Sequence, residues 1–182
     1  MGNWQLDPYH TQVEFSAKHL GMMTVRGHFT DVTSTAEIDP DHLENMRVEV
    51  TIQAASIKTH HEVRDKDLRS ENFLETDTYP VITFTSTGVE STGQDQYTVT
   101  GDLTVKGNTK PVVLEMTRLG EFNDPMMGHR IGYSGRAKIN RKEFGLSFNA
   151  MLDGRLVVSD EIQIMLEGEL VEQVQEAEEA AT

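Results

Sequence analysis

Apolar and polar residues alternate with period two over most of this chain, and no other feature limits its fold as tightly. Successive side chains of a β-strand leave on opposite faces, so alternation marks strands with one buried and one wet face. Val13, Phe15, Ala17 and His19 share one parity, against Gln12, Glu14, Ser16 and Lys18. Met46, Val48, Val50 and Ile52 alternate with Arg47, Glu49, Thr51 and Gln53. The pattern returns at Ile82 and Phe84, and at Tyr97, Val99, Leu103 and Val105. It returns again at Ile131, Tyr133, Ala137 and Ile139, and at Ile162, Ile164 and Leu166. Strands across 23–38 and 111–119 complete a set of about eight.

The punctuation fits a meander of such strands. Gly107-Asn108, between Val105 and Val112, reads as a tight hairpin turn. Ser91-Thr92-Gly93 and Asn123-Asp124-Pro125 mark further turns. Gly132 and Gly135, inside a strand pattern, predict bulges or sharp coiling. One segment breaks the period. Thr59-His60-His61-Glu62 has the form of a capping box, which predicts a short helix over 60–69 with Val63 and Leu68 as its apolar face. Ser70-Glu71-Asn72-Phe73 starts another turn before Tyr79-Pro80 resets the chain to a strand.

The fold class that follows is all-β: an eight-stranded antiparallel up-and-down barrel with a short helical insertion around 60–75. A two-sheet sandwich has the same periodicity and is the alternative. Residues 3–171 form one domain, and 172–182, rich in Glu and Ala, form an acidic, disordered tail.

Composition excludes several function classes. Sixteen Lys and Arg against thirty Asp and Glu leave a formal charge of −14, the wrong sign for counterion-driven nucleic-acid binding. The same sign disfavours anchoring on anionic lipid, and no apolar run approaches the roughly 18 residues that a spanning helix needs. With no cysteine there are no disulfides, thiolate nucleophiles or Cys-ligated metals. The first residues show no basic stretch followed by an apolar run, so the cytoplasm is the expected compartment.

Catalytic motifs are missing: no phosphate-binding loop, dinucleotide fingerprint, HExxH or GxSxG. Adjacent His60 and His61 point about 100° apart on a helix and do not converge on one ion, so neither metal nor cofactor is expected. By parity His19 points inward, as a hydrogen-bonded core histidine or a contact to a ligand headgroup. Arg64-Asp65 with Arg69, and Arg141 with Glu143, form ion-pair knots at a barrel mouth. The pairs Met22-Met23 and Met126-Met127, with Met151, read either as an adaptable lining for a floppy apolar ligand or as core gap-filling. Phe144, Leu146 and Phe148 form an apolar loop that needs something to cover, such as a cavity entrance.

These motifs together resemble the YceI-like family. The matching residues begin with Trp4-x-Leu6-Asp7-Pro8-x-His10-Thr11, Val13-x-Phe15, His19-Leu20-Gly21 and Val25-x-Gly27-x-Phe29. Ser56-Ile57-x-Thr59, Arg64-Asp65-x-x-Leu68-Arg69-Ser70, Phe73 and Tyr79-Pro80-x-Ile82-x-Phe84 follow. Then come Gly101-Asp102-Leu103-Thr104, Thr109-Lys110-Pro111-Val112, Ile139-Asn140-Arg141-x-x-Phe144-Gly145-Leu146 and Ser159-Asp160-Glu161-Ile162. Thr11 stands where Ser is usual, and Asp153-Gly154 where Gly-Gly is usual. The resemblance implies an extended lipocalin-like barrel whose interior holds a long polyisoprenoid or similar amphiphile. It also implies members that act as isoprenoid or quinone carriers or stress-linked proteins rather than established enzymes.

The expected function is therefore non-catalytic binding or carriage of a polyisoprenoid, isoprenoid quinone or fatty lipid in the lumen. Inward parity nominates Val13, Phe15, His19, Phe29, Val50 and Ile52 as lining, with Phe84, Leu103, Met116, Ile131, Tyr133 and Ile164. Phe73, Phe144 and Phe148 are the expected lid. The rival is a lipid- or small-ester-processing enzyme with His19 or His10 as base. A third reading is a structural homodimer, which predicts a fully packed lumen.

Overall fold

The computed structural model describes residues 2–39, 42 and 45–173. The first half of the chain forms β1 (Gly2–Leu6), β2 (Gln12–His19), β3 (Met23–Phe29), β4 (Val32–Ile38), β5 (Arg47–Gln53) and β6 (Ile57–Lys58). A helix, α1 (Glu62–Arg69), then leads to β7 (Val81–Gly93), β8 (Gln96–Val105), β9 (Asn108–Asp124) and β10 (Gly128–Asn140). A short hairpin of β11 (Met151–Leu152) and β12 (Arg155–Leu156) precedes β13 (Glu161–Gln173).

Every strand pairing is antiparallel, and β13 closes the sheet. Its N-terminal half pairs with β2 (Leu166 opposite Val13) and its C-terminal half with β1 (Leu170 opposite Leu6). β1 and β2 therefore occupy one position of the barrel, broken at 7–11. β3 and β4 occupy the next, broken at Thr30 and Asp31, whose amides turn away to the Ser56 hydroxyl. The expected single strand over 23–38 is thus two strands in one position. Eight positions result, and closure rules out the sandwich.

The turns are shifted by a residue or two from the sequence expectation. Val105 lies opposite Asn108, so the tight turn is Lys106-Gly107, both with positive φ (48° and 71°). That backbone matches the strand twist, and Gly107 takes it without a steric penalty. β7 runs on through Gly93, and its turn is at Gln94-Asp95 rather than at 91–93. Asp124 does end β9, its carboxylate accepting from the amides of Met126 and Met127. The bulge near Gly132 lies on the partner strand, where Leu119 is the extra residue; Gly135 sits in regular pairing.

The helix starts later than the capping box predicts. His61 is the N-cap, its Nδ1 accepting from the Arg64 amide at 3.2 Å. Thr59 is instead buried, donating its amide (2.8 Å) and hydroxyl to Asp65, while Arg64 Nε donates to the Thr59 hydroxyl at 2.7 Å. Val63 faces solvent, so Leu68 alone of the expected pair points to the core. β13 extends to Gln173 and takes Glu172 into the sheet; the rest of the expected tail, 174–182, lies outside the described residues.

Two apolar clusters fill the barrel. The larger gathers Ile52, Ile57, Leu74, Phe84, Leu103 and Phe144, among others, toward the end that carries the helix and the β10–β13 connection. The smaller, Trp4, Ala36, Ile38, Ile131 and Leu170, seals the opposite end. Close packing across the sheet depends on Gly101, where an added Cβ would lie 2.3 Å from Phe84 Cζ and 2.6 Å from the Thr85 carbonyl oxygen. Gly101→Ala should cost about 1–3 kcal/mol of stability, read from the denaturant midpoint. An unchanged midpoint would show that the ring does not lie across this glycine.

Candidate ligand-binding cavity

The inward faces of these strands do not meet. Between them lies a cavity of about 330 Å³ whose wall is apolar nearly throughout. That is within the range of small-molecule sites, and it would be an empty core in a protein that had nothing to hold. The packed lumen expected of a purely structural barrel is not found.

The wall includes Val13, Phe15, Phe29, Val50 and Ile52 from the first five strands. It also includes Phe84, Leu103, Met116, Tyr133 and Ile164 from the later ones, with Phe73 from the segment after the helix. Period two found these because the lumen-facing parity is the same parity that in a solid barrel would be core. The same alternation carries Ile82, Val99, Val105 and Leu114 onto the wall, residues the sequence reading left unnominated. Leu68 and Leu74 arrive from the insertion, and Ile57 from the two-residue β6, where strand parity gives no signal.

Four nominated residues fall elsewhere. His19 is exposed at the end of β2, where the strand overhangs the rim and makes a single bridge to Val158. Ile131 points inward as expected, but into the sealed cluster with Trp4. Phe144 is only 1% exposed and packs in the larger core rather than on the wall. Phe148 is half-exposed, with its ring centroid 5.5 Å from that of Phe73, edge to face. Of the expected lid, then, Phe73 faces the cavity, Phe148 covers it from outside and Phe144 is structural.

Among the described residues no histidine belongs to the wall, so the interior base required by the enzyme reading is not where parity placed it. His10 is likewise outside, 2.9 Å from Asp7. Asp7, His10 and Glu169 bring their potential ligand atoms together, but Arg130 bridges both carboxylates, at 2.7 Å and 2.9 Å. Arg130 and His10 hold the Asp7 carboxyl well below the usual carboxylate range. The group pins β10 and β13 across the break between β1 and β2.

Charged side chains at the cavity's helix end are tied up in the structure. Arg141 is 2% exposed; its Nε donates to the Ser159 carbonyl at 3.0 Å, and its Nη1 donates to the carbonyls of Phe148 (2.8 Å) and Leu146. Burial pushes its pKa down, Asp160 at 3.6 Å opposes the shift, and the guanidinium stays charged. Its expected partner Glu143 is exposed and not part of this arrangement. Burial alone raises the Asp65 carboxyl, but hydrogen bonds from Thr59, with Arg69 and Lys58 nearby, bring it below its ordinary value. The methionine pairs are neither lining nor core: Met22, Met23, Met126, Met127 and Met151 are all exposed.

At the sealed end His129 lies between Glu121 (2.5 Å) and Glu172 (2.8 Å), its ring 4.8 Å from that of Trp4. The hydrogen bonds to Glu121 and Glu172 raise its pKa above the ordinary 6.5. A raised folded-state value means the contribution is complete below the unfolded value and fades as pH climbs through the folded one. Stability at this end should therefore fall as pH rises above about 6.5, and His129→Gln should flatten that dependence. The sole tryptophan reports it by fluorescence during denaturation; a His129→Gln profile identical to the parent's would contradict it.

A family model described as the YceI-like domain matches residues 4–170. The chain belongs to the YceI-like family. The protein YceI of Escherichia coli O157:H7 is 43% identical over 137 residues, 75% of this chain and 71% of that one. BcnA of Burkholderia cenocepacia superposes with a TM-score of 0.79 at 24% identity, over 90% of this chain and 98% of that one. A polyisoprenoid-binding domain from Saccharophagus degradans, implicated in plant cell wall breakdown, superposes with a TM-score of 0.67 at 16% identity. That likeness covers 95% of this chain and the whole of the other. At these identities the two structures show a shared fold.

Proposed function

We propose that this YceI-like barrel binds a long apolar amphiphile, a polyisoprenoid, isoprenoid quinone or fatty lipid, in its lumen, and carries it rather than transforming it. The observation that carries the reading is the cavity: about 330 Å³ of unfilled space enclosed by apolar side chains from most strands of the barrel. Interiors are otherwise packed to crystal density, so empty apolar space on this scale costs stability unless a ligand fills it. A wall offering almost no hydrogen-bond donors selects for hydrocarbon, with each buried methylene contributing about 0.8 kcal/mol. The polyisoprenoid-binding domain with the same fold supports the ligand class. The absence of histidine from the described wall supports carriage over chemistry.

The test is uptake of an apolar fluorescent probe by the purified, delipidated protein, followed by displacement with a polyprenol, a quinone and a fatty acid. Saturable uptake, reversed by at least one of these, is the expected result. Failure of both uptake and displacement would remove the proposal.

A further inference from the structure

The cavity has a floor, and its chemistry differs from that of the walls. Tyr133 lines the cavity and also packs against the Trp4–Leu170 cluster that seals this end of the barrel. Tyr97, a second wall residue, sits on β8, so the two phenols flank β9 from either side. Their register partners on β9 are Met116, opposite Tyr97, and Arg118, opposite Tyr133. Residues directly opposite in an antiparallel pair share a face, so Arg118 points inward with both tyrosines. Glu121, opposite Ile131, points inward too, although it lies three residues beyond Arg118. The Leu119 bulge makes that possible, since the extra residue restores the parity.

Donors collect at this floor without acceptors. Neither tyrosine hydroxyl makes a hydrogen bond among the described residues. Arg118 gives its Nη2 to Glu121 and holds Asp95 at 3.9 Å through Nη1, but its Nε is buried with no acceptor. Burial raises the pKa of the Tyr133 phenol and nearby Tyr97 adds to the shift, so the hydroxyl keeps its proton to donate. Elsewhere on the wall Thr11 and Arg141 give their protons to backbone carbonyls, and Ser34 offers one buried hydroxyl. Interiors rarely keep polar groups unbonded unless something else supplies the partner.

Charge narrows what that partner is. The charged groups that act on the Tyr133 phenol are one cation, Arg118, and two carboxylates, Asp95 and Glu121. Beyond them His129 lies between Glu121 and Glu172. No cation is left over for a phosphate or carboxylate, which the acids would repel. Paired phenols with no spare positive charge suit a neutral oxygen with two lone pairs and no proton of its own, which is a carbonyl.

We propose that Tyr97 and Tyr133, backed by Arg118, form the headgroup site of the cavity and take a neutral carbonyl, such as a ring ketone, with the ligand's tail running toward α1 and Phe73. The proposal rests on lumen binding and deepens it by fixing the ligand's polarity and direction. A carbonyl-headed amphiphile is selected over an alcohol, and an acid is rejected.

Competition against the apolar fluorescent probe tests this with three molecules that carry the same decyl tail: a decyl benzoquinone, decanol and decanoic acid. Tyr97→Phe combined with Tyr133→Phe should weaken the quinone about tenfold or more and leave decanol almost unchanged. Decanoic acid should be the weakest competitor in the parent. The removed hydroxyls bond to nothing in the protein, so the denaturation midpoint should hold or rise. Infrared difference spectra give a second readout: the quinone C=O stretch should fall in frequency on binding the parent and fall less in the double variant. Quinone affinity and C=O frequency that match the parent's in the double variant overturn the headgroup site and leave lumen binding standing. So does decanoic acid as the tightest competitor. Failure of all three to displace the probe defeats lumen binding, and the headgroup site with it.

Discussion

Replacing Arg141 by alanine is expected to destabilise the barrel by about 3–5 kcal/mol, the range for breaking a buried charged arrangement by removing one member. The guanidinium serves three carbonyls, those of Leu146, Phe148 and Ser159, and faces Asp160 from a nearly fully buried position. Alanine would leave those carbonyls without their donor in a space that water enters poorly, and would remove the guanidinium that stands 3.6 Å from Asp160. Arg141→Lys keeps the charge but loses the planar fork that reaches several carbonyls, so most of the loss should persist. Chemical denaturation measures both. A change below about 1 kcal/mol for alanine would mean that the connection between β10 and β13 is held by something else. Because the arginine clamps Leu146 on the wall and Phe148 above it, the alanine variant should also expose the cavity's end to protease.

Filling the lumen should have the opposite signature, losing ligand while sparing the fold. Val50→Trp and Val99→Trp project an indole into space that no protein atom occupies. Displacing four or five methylenes of a ligand forfeits roughly 3–4 kcal/mol, a 100- to 1,000-fold loss of affinity. Stability should stay within about 1 kcal/mol, since the added ring fills a void rather than overpacking a core. Phe84→Ala is the contrast, because it trades wall contact for extra room and costs stability more than binding. Equilibrium titration with the displacing isoprenoid, alongside denaturation, separates the effects. Unchanged affinity in both tryptophan variants would place the ligand outside the lumen.

How much of this was readable from residues alone depends on what each residue answers to. Val13, Phe15, Phe84 and Leu103 answer to the pleat, and alternation placed all four on the wall. Parity fails where a strand leaves the barrel: His19 keeps the inward parity of Phe15 but overhangs the rim, so its inward side is solvent. It is also silent on depth, as Ile131 shows by facing inward into a sealed cluster instead of a cavity. The lid region was hardest. Phe144, Leu146 and Phe148 alternate in a segment that is not a strand, and it is the Arg141 side chain that sorts them. The capping box failed for a similar reason: Thr59 had a tertiary partner in Asp65, and His61 took over the cap.

Native mass spectrometry of the freshly purified protein, with organic extraction of the same sample, bears most directly on the claim that the lumen holds a lipid. Adduct masses that vanish on extraction, and reappear in the extract as a long-chain isoprenoid or fatty lipid, are the predicted result, with the Val99→Trp variant free of them. A protein at its bare sequence mass that also remains bare after incubation with polyprenol, quinone and fatty acid would contradict the account.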